Sequence, residues 1–137
     1  MEAITVKELL AATGGELLQG DAAEKILGVN TDSRTVKAGE VFLPLTGERF
    51  DGHDYIEKAL SAGAEGCLCA RVPEALRPGK FYVKVPDTLL ALKDIAAWYR
   101  SRFQIPFVQV TGSVGKTTTK EMIASVLGVK FNTLKTA

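Results

Sequence analysis

Thr111-Gly112-Ser113-Val114-Gly115-Lys116-Thr117-Thr118-Thr119 stands between a short apolar run, residues 107–111, and a helical pattern from about Lys116 to Leu127. A strand, a glycine loop and a helix in that order make a phosphate cradle. Glycines let the backbone curl so that successive N–H groups converge on phosphate oxygens. The helix N-terminus adds its positive dipole end. A lysine in the first turn reaches the β- and γ-phosphates, and the hydroxyl after it ligates Mg²⁺. The pattern therefore places Lys116 on phosphate and Thr117 on magnesium. The spacing departs from the general phosphate-loop pattern, which asks for glycine five residues before Gly115, where this chain has Val110. Gly112 does the turning instead. The competing reading is an ordinary glycine-rich connection into a helix start rich in capping threonines.

Working back from the loop, Pro86-Asp87 opens a long helix whose stripe is Leu89, Leu92, Ala96, Tyr99 and Phe103, widened by Ile95 and Trp98. Asp87 is its expected N-cap, and the breadth of the stripe predicts a helix that is largely packed. Ile105-Pro106 breaks it. Earlier still, Thr5 and Glu8 have capping-box spacing ahead of Val6, Leu9 and Leu10, and Gly14-Gly15 ends that helix. Strands are expected at 16–18, 26–29, 41–43, 66–70 and 81–85. A helix capped by Asp54 and carrying Tyr55, Ile56, Ala59 and Leu60 should stop at Gly63. Residues 130–133 are the expected start of a further strand.

This alternation is α/β in two blocks. Residues 1–85 form a small N-terminal domain. Residues 86–137 hold one helix, one strand, one helix and a strand stub, the opening strand–phosphate loop–helix of a larger domain that is cut short. The chain is expected to be a piece of a longer protein.

Composition narrows the function classes. Of 137 residues, 46% are hydrophobic and 24% charged, which fits a globular protein and excludes disorder. Lys+Arg 17 against Asp+Glu 16 gives a net charge of +1, so binding to nucleic acid through phosphate neutralisation is not expected. No apolar run approaches a membrane span, and the acidic start of the chain carries no signal peptide, which points to the cytoplasm. Cys67 and Cys69 share one face of a strand as buried thiols. A metal site there would need further ligands, and the single histidine, His53, is distant in sequence.

The shortened loop, continued through Lys120-Glu121-Met122, resembles the ATP-binding loop of the Mur ligases, cytoplasmic enzymes that add amino acids to the UDP-linked muramoyl peptide of peptidoglycan. The N-terminal block agrees independently. Thr31-Asp32-Ser33-Arg34, Gly39-Glu40-Val41-Phe42 and Gly47-Glu48-Arg49-Phe50-Asp51-Gly52-His53-Asp54 resemble the family's uridine-nucleotide-binding domain. Lys135-Thr136 is similar to the start of a segment that continues the family's ATPase domain. The details sit nearer to the branch that adds D-alanyl-D-alanine to UDP-N-acetylmuramoyl-tripeptide than to its amino-acid-adding neighbour. That neighbour is the first alternative, and a non-catalytic UDP-sugar-binding module is the second.

The resemblance implies an α/β UDP-substrate-binding domain, residues 1–85, followed by the start of the ATP-binding domain, residues 86–137. Thr31 and Ser33 would line the uridine site, with Glu48, Arg49 and Phe50 on the facing loop. Arg49 would pair with pyrophosphate and Phe50 would pack on a ring face. Gly112, Ser113, Val114, Gly115, Lys116, Thr117 and Thr118 would bind ATP, with Lys116 the catalytic cation and Thr117 the Mg²⁺ ligand. The bland alternatives are an Asp32–Arg34 loop salt bridge and a core role for Phe50. His53 and Asp51 read as structural turn-and-cap residues. The site for D-alanyl-D-alanine is expected outside this sequence, so residues 1–137 alone should have no ligase activity.

Overall fold

A computed structural model describes residues 1–137, which divide into two compact units, Met1–Phe103 and Gln104–Ala137. In the first unit the strands are β1 (Ile4–Thr5), β2 (Glu16–Gln19), β3 (Lys25–Ile26), β4 (Gly28–Asn30), β5 (Glu40–Phe42), β6 (Gly66–Cys69) and β7 (Phe81–Lys84). The helices are α1 (Val6–Thr13), α2 (Ile56–Ala62), preceded by a 3₁₀ turn at Gly52–Tyr55, and α3 (Thr88–Ser101). The second unit contains α4 (Lys116–Gly128).

The main sheet has the order β2-β7-β6-β5-β4. β4, β5, β6 and β7 run parallel, and β2 joins the β7 edge antiparallel. Successive side chains on a strand point to opposite faces, and that alternation divides the core in two. Val41, Leu43, Leu68, Phe81 and Val83 face one cluster, which Leu9 of α1 and Ala91 and Ile95 of α3 complete. Phe42, Cys67, Cys69 and Tyr82 face the other, against Ile56, Ala59 and Leu60 of α2. Parallel strands covered on both faces are buried throughout, as β6 is at every residue. Close packing fixes Gly66, because a Cβ there would lie 2.3 Å from the Phe81 carbonyl oxygen on the neighbouring strand.

The local start signals operate as expected. The Thr5 side chain accepts the Glu8 N–H at 3.2 Å, and the Glu8 carboxylate accepts the Thr5 N–H at 2.8 Å. Asp87 caps α3 by accepting the Leu90 N–H at 2.9 Å. Cys67 and Cys69 are free, buried thiols on one face. The hydrogen bond to Cys69, reinforced by burial, pushes the Cys67 thiol up, so it stays protonated.

Four local expectations change. Residues 26–29 are not one strand: β3 pairs antiparallel with β1, the chain turns at Leu27, and β4 joins the main sheet. The helix near residue 54 begins as a 3₁₀ turn capped by Asp51, which accepts the His53 N–H at 3.0 Å; Asp54 lies inside that turn. On α3 the stripe residues Leu92, Ile95, Trp98 and Tyr99 pack on the first core together with Ala91, and Thr88 is buried, but Leu89 is 51% exposed and Ala96 lies outside the core. That packing joins α3 to the first core, and the first compact unit runs to Phe103. Finally, residues 107–111 and 130–133 are not strands. A strand is defined by ladder hydrogen bonds to a neighbour, and neither segment has one.

Candidate functional site

In sheets with parallel strands, ligands bind outside the carboxyl ends, where the connecting loops gather. Here the loop after β4 carries Thr31 and Ser33, and the loop after the adjacent β5 carries Glu48, Arg49 and Phe50. The Leu43 N–H donates to the Asn30 carbonyl at 2.9 Å, so the two strand exits are hydrogen-bonded together. The fold thus places all five expected UDP-site residues on neighbouring loops at one end of the sheet.

The first loop is tied down internally. The Asn30 side-chain oxygen accepts the Asp32 N–H at 2.9 Å, and its amide donates to Glu40 at 3.0 Å. Arg34 donates to both Asp32 carboxylate oxygens, through Nε at 2.9 Å and a terminal nitrogen at 2.8 Å. The Arg34 guanidinium, together with the Arg34 N–H, holds the Asp32 carboxyl down at about 2. The Asp32–Arg34 pair is accordingly a loop salt bridge. Ser33 is buried and Thr31 is exposed beside it.

The second loop is a narrow turn. Thr46 and Asp51 form an antiparallel bridge, the Gly47 N–H donates to the Phe50 carbonyl at 2.7 Å, and the Gly52 N–H donates to the Leu45 carbonyl at 2.8 Å. Glu48 and Arg49 project at its tip, exposed, and Arg49 makes no ion pair with any carboxylate of the chain. Phe50 is 54% exposed and stacks on Tyr55, ring centroids 5.4 Å apart and planes 28° from parallel. It is a surface ring on an aromatic support, not a core anchor. Lys58 lies over Tyr55 at 6.0 Å.

Beneath the turn lies a set of contacts only partly legible in the sequence. Asp51 accepts from His53 Nδ1 at 2.6 Å, and His53 Nε2 accepts the Ala70 N–H at 3.0 Å. Arg71 donates to Asp51 at 3.2 Å and to Asp54 at 2.7 Å. The bonds from His53, backbone first, hold the Asp51 carboxyl down at about 2. The sequence marks Asp51 and His53 as turn-and-cap residues. Tyr55 and Arg71 carry no such signal, since their partners are set by the fold.

In the second unit, Gly112 and Gly115 adopt φ of +146° and +77°, conformations that disfavour any side chain, and Gly115 is the N-cap of α4. No side chain caps that helix. Its first-turn N–H groups are therefore left to an external acceptor, which is the donor set a phosphate requires. Lys116, Thr117 and Thr118 follow in the first turn, all exposed, and Ser113 and Val114 complete the loop. Lys116 pairs with no carboxylate, whereas Lys120 donates to the carbonyls of Thr136 and Ala137, and Lys135 pairs with Glu121. No group of three or more His, Cys, Asp or Glu side chains is placed to hold a metal ion. No helix is long and apolar enough to cross a membrane.

Comparisons with known proteins agree on the family. The family model described as Mur ligase family, catalytic domain, matches residues 25–100. The UDP-N-acetylmuramoyl-tripeptide–D-alanyl-D-alanine ligase of Synechocystis is 49% identical over 112 residues, 82% of this chain and 25% of the relative. Among solved structures, a MurF from Acinetobacter baumannii aligns with a TM-score of 0.86 at 35% identity, covering 95% of this chain and 28% of that one. The MurF ligase from Thermotoga maritima in complex with ADP aligns with a TM-score of 0.70 at 35% identity, covering 80% of this chain and 25% of that one. The present chain thus spans between a quarter and three tenths of the length of these proteins.

Proposed function

The chain belongs to the Mur ligase family, and from that premise we propose that it supplies the UDP-substrate grip and the nucleotide phosphate loop of an ATP-dependent peptide-bond-forming ligase. The substrate is UDP-N-acetylmuramoyl-tripeptide and the incoming group is D-alanyl-D-alanine, in the cytoplasmic synthesis of peptidoglycan precursors. Thr31 and Ser33 read the uridine, Phe50 offers a ring face, Arg49 pairs with the diphosphate, and Glu48 lies on the same turn. The part up to about residue 85 carries this role. The part from residue 86 onward opens the ATP-binding domain.

Gly112, Ser113, Val114, Gly115, Lys116, Thr117 and Thr118 receive the phosphates of ATP. The free first-turn amides and the unpaired Lys116 supply the positive field that stabilises charge during phosphoryl transfer. The Thr117 hydroxyl offers Mg²⁺ one oxygen, and a hard, reluctantly dehydrated cation of this kind takes its other ligands from phosphate and water. In the reaction so assigned, the tripeptide carboxylate attacks the γ-phosphate of ATP and releases ADP. The amine of D-alanyl-D-alanine then displaces phosphate from the acyl phosphate. None of the residues described above holds the dipeptide, so residues 1–137 alone bind substrate without turnover.

The observation that carries the reading is the turn at 46–51. It follows the strand next to the one that leads into the Ser33 loop, with an unpaired arginine and a half-exposed aromatic at its tip. Calorimetric titration with UDP-N-acetylmuramoyl-tripeptide tests it. Binding is expected, and Arg49→Ala should weaken it by about tenfold or more, since a charge-assisted bond contributes roughly 1.5–3 kcal/mol. A folded chain that binds no uridine nucleotide would falsify the assignment.

A further inference from the structure

We propose that His53 is a positioning residue that sets the Arg49–Phe50 turn on the carboxyl end of β6, so that affinity for a uridine diphosphate group depends on a side chain that does not touch the ligand. This rests on the UDP-binding reading above. The turn has few fastenings of its own. Its tip is exposed, and its internal bonds, Gly47 to Phe50 and Gly52 to Leu45, fix its shape without anchoring it to the next strand. The anchor is the His53 ring, only 8% exposed. Because Nε2 accepts an amide proton from Ala70, the residue directly after β6, the ring proton sits on Nδ1 and is donated to Asp51. The imidazole therefore joins the turn at residue 51 to the strand end at residue 70 with both nitrogens satisfied.

The surrounding charges reinforce the link. Asp51 also accepts the His53 N–H, and Arg71, next to Ala70, bridges Asp51 and Asp54 from the solvent side. Those Arg71 contacts are exposed and weakly held, which leaves the buried ring as the main connection. Phe50 precedes Asp51 and rests on Tyr55, which ends the 3₁₀ turn that His53 belongs to. Loss of the ring would free the 46–51 turn and its aromatic support together.

The two ring contacts can be removed separately. In His53→Asn the side-chain amide replaces Nδ1 and keeps the bond to Asp51. In His53→Gln the amide oxygen reaches the Nε2 position and keeps an acceptor for Ala70. His53→Ala loses both. Two measurements on the 1–137 chain are paired: amide hydrogen exchange at Gly47 and Gly52, and affinity for UDP by calorimetry. Leu9→Ala, in the cluster on the opposite sheet face, serves as a variant that lowers stability without touching the turn.

His53→Ala is expected to speed exchange at both glycines and to weaken UDP binding by about tenfold, the scale of one lost buried hydrogen bond. His53→Gln should recover most of the affinity, and Leu9→Ala should keep native affinity while folded. A loosened turn with unchanged affinity overturns the positioning role, as does an unloosened turn. Equal affinity losses in His53→Ala and Leu9→Ala reduce His53 to general stability and overturn it too. Should His53→Ala fail to fold, the difference between the Asn and Gln variants decides, and equal affinities in those two overturn the proposal. A native chain that binds no UDP defeats the substrate reading itself, and that outcome shows in the unsubstituted protein before any variant is made.

Discussion

The Arg49 turn and the Lys116 loop differ in what holds them. The first is seated at the end of a sheet with buried clusters on both faces; the strand leading into it is bonded at Leu43 to the exit of β4, and His53 after it is bonded to the end of β6. The second owes its shape to two glycines in left-handed conformations and to the helix that follows, and no residue of that helix is buried. Val114, Met122, Val126, Val129 and Leu134 are all more than 60% exposed. A turn placed by tertiary packing inherits the stability of its core. A loop placed by local backbone geometry has only helix propensity behind it, and isolated helices this short are marginal in water.

Core deletions give the largest expected contrast. Phe81 is fully buried in the cluster between the sheet and α1 and α3, and Phe81→Ala should destabilise the first unit by about 3–5 kcal/mol. Val126 is 74% exposed on α4, so Val126→Ala should change stability by no more than about 0.5 kcal/mol. Urea denaturation followed by far-ultraviolet circular dichroism, which reads the helices of both units, measures both. A Val126→Ala chain that unfolds as readily as Phe81→Ala would show that α4 has a core of its own, and the contrast would collapse.

Acid should act on the seated turn next. The Asp51 carboxyl is held down at about 2 by the bonds from His53, against roughly 3.9 in an unfolded chain. A carboxylate with a lowered folded value favours the folded state above the unfolded value, and the benefit disappears as pH falls from about 4 towards 2. The urea midpoint should therefore drop across that interval, and Asp51→Asn should flatten the drop while lowering the midpoint at neutral pH. Asp32 is lowered as far, but its partner Arg34 is an exposed guanidinium, whereas the partner of Asp51 is the buried His53 ring. Solvent screening weakens such a pair, so Asp32→Asn should flatten the acid drop much less. An equal effect from the two variants would mean that the Asp51 contacts do no more for the fold than a loop salt bridge.

The same division explains which parts of the structure could be read from the sequence. The Thr5–Glu8 box, the Asp87 cap and the alternation that sends Phe42, Cys67 and Tyr82 to one face depend on residues close together in the chain. The phosphate-loop glycines belong to the same class, which is why their turning role was visible beforehand. Other features are fixed by partners brought from afar. Ala70 is 17 residues from His53, and Arg71 is 20 from Asp51, so no local spacing announces either contact. On α3 the expected stripe residues Leu92, Ile95, Trp98 and Tyr99 do pack on the core, but Leu89 at its start does not. The smaller Thr88 and Ala91 are buried in its first turn instead, since helix faces are chosen by fit as well as by hydrophobicity. Residues 107–111 have strand composition, but composition cannot supply the neighbouring strand that a ladder requires.

Lys116 should show the smallest effect on stability and the sharpest separation of stability from binding. Its ammonium makes no ion pair within the chain, and it sits exposed at the start of a helix, where a cation is slightly unfavourable against the positive end of the dipole. Lys116→Ala removes that repulsion and introduces a better helix former. Stability should therefore stay the same or rise by a few tenths of a kcal/mol, roughly the scale of exposed dipole interactions. Any binding of Mg-ATP should fall sharply at the same time, while UDP affinity stays unchanged. Differential scanning calorimetry combined with the two titrations separates these effects. A loss of UDP affinity in this variant would mean that the two units do not bind their ligands independently, whereas unchanged nucleotide binding would leave the glycine loop as a plain helix start.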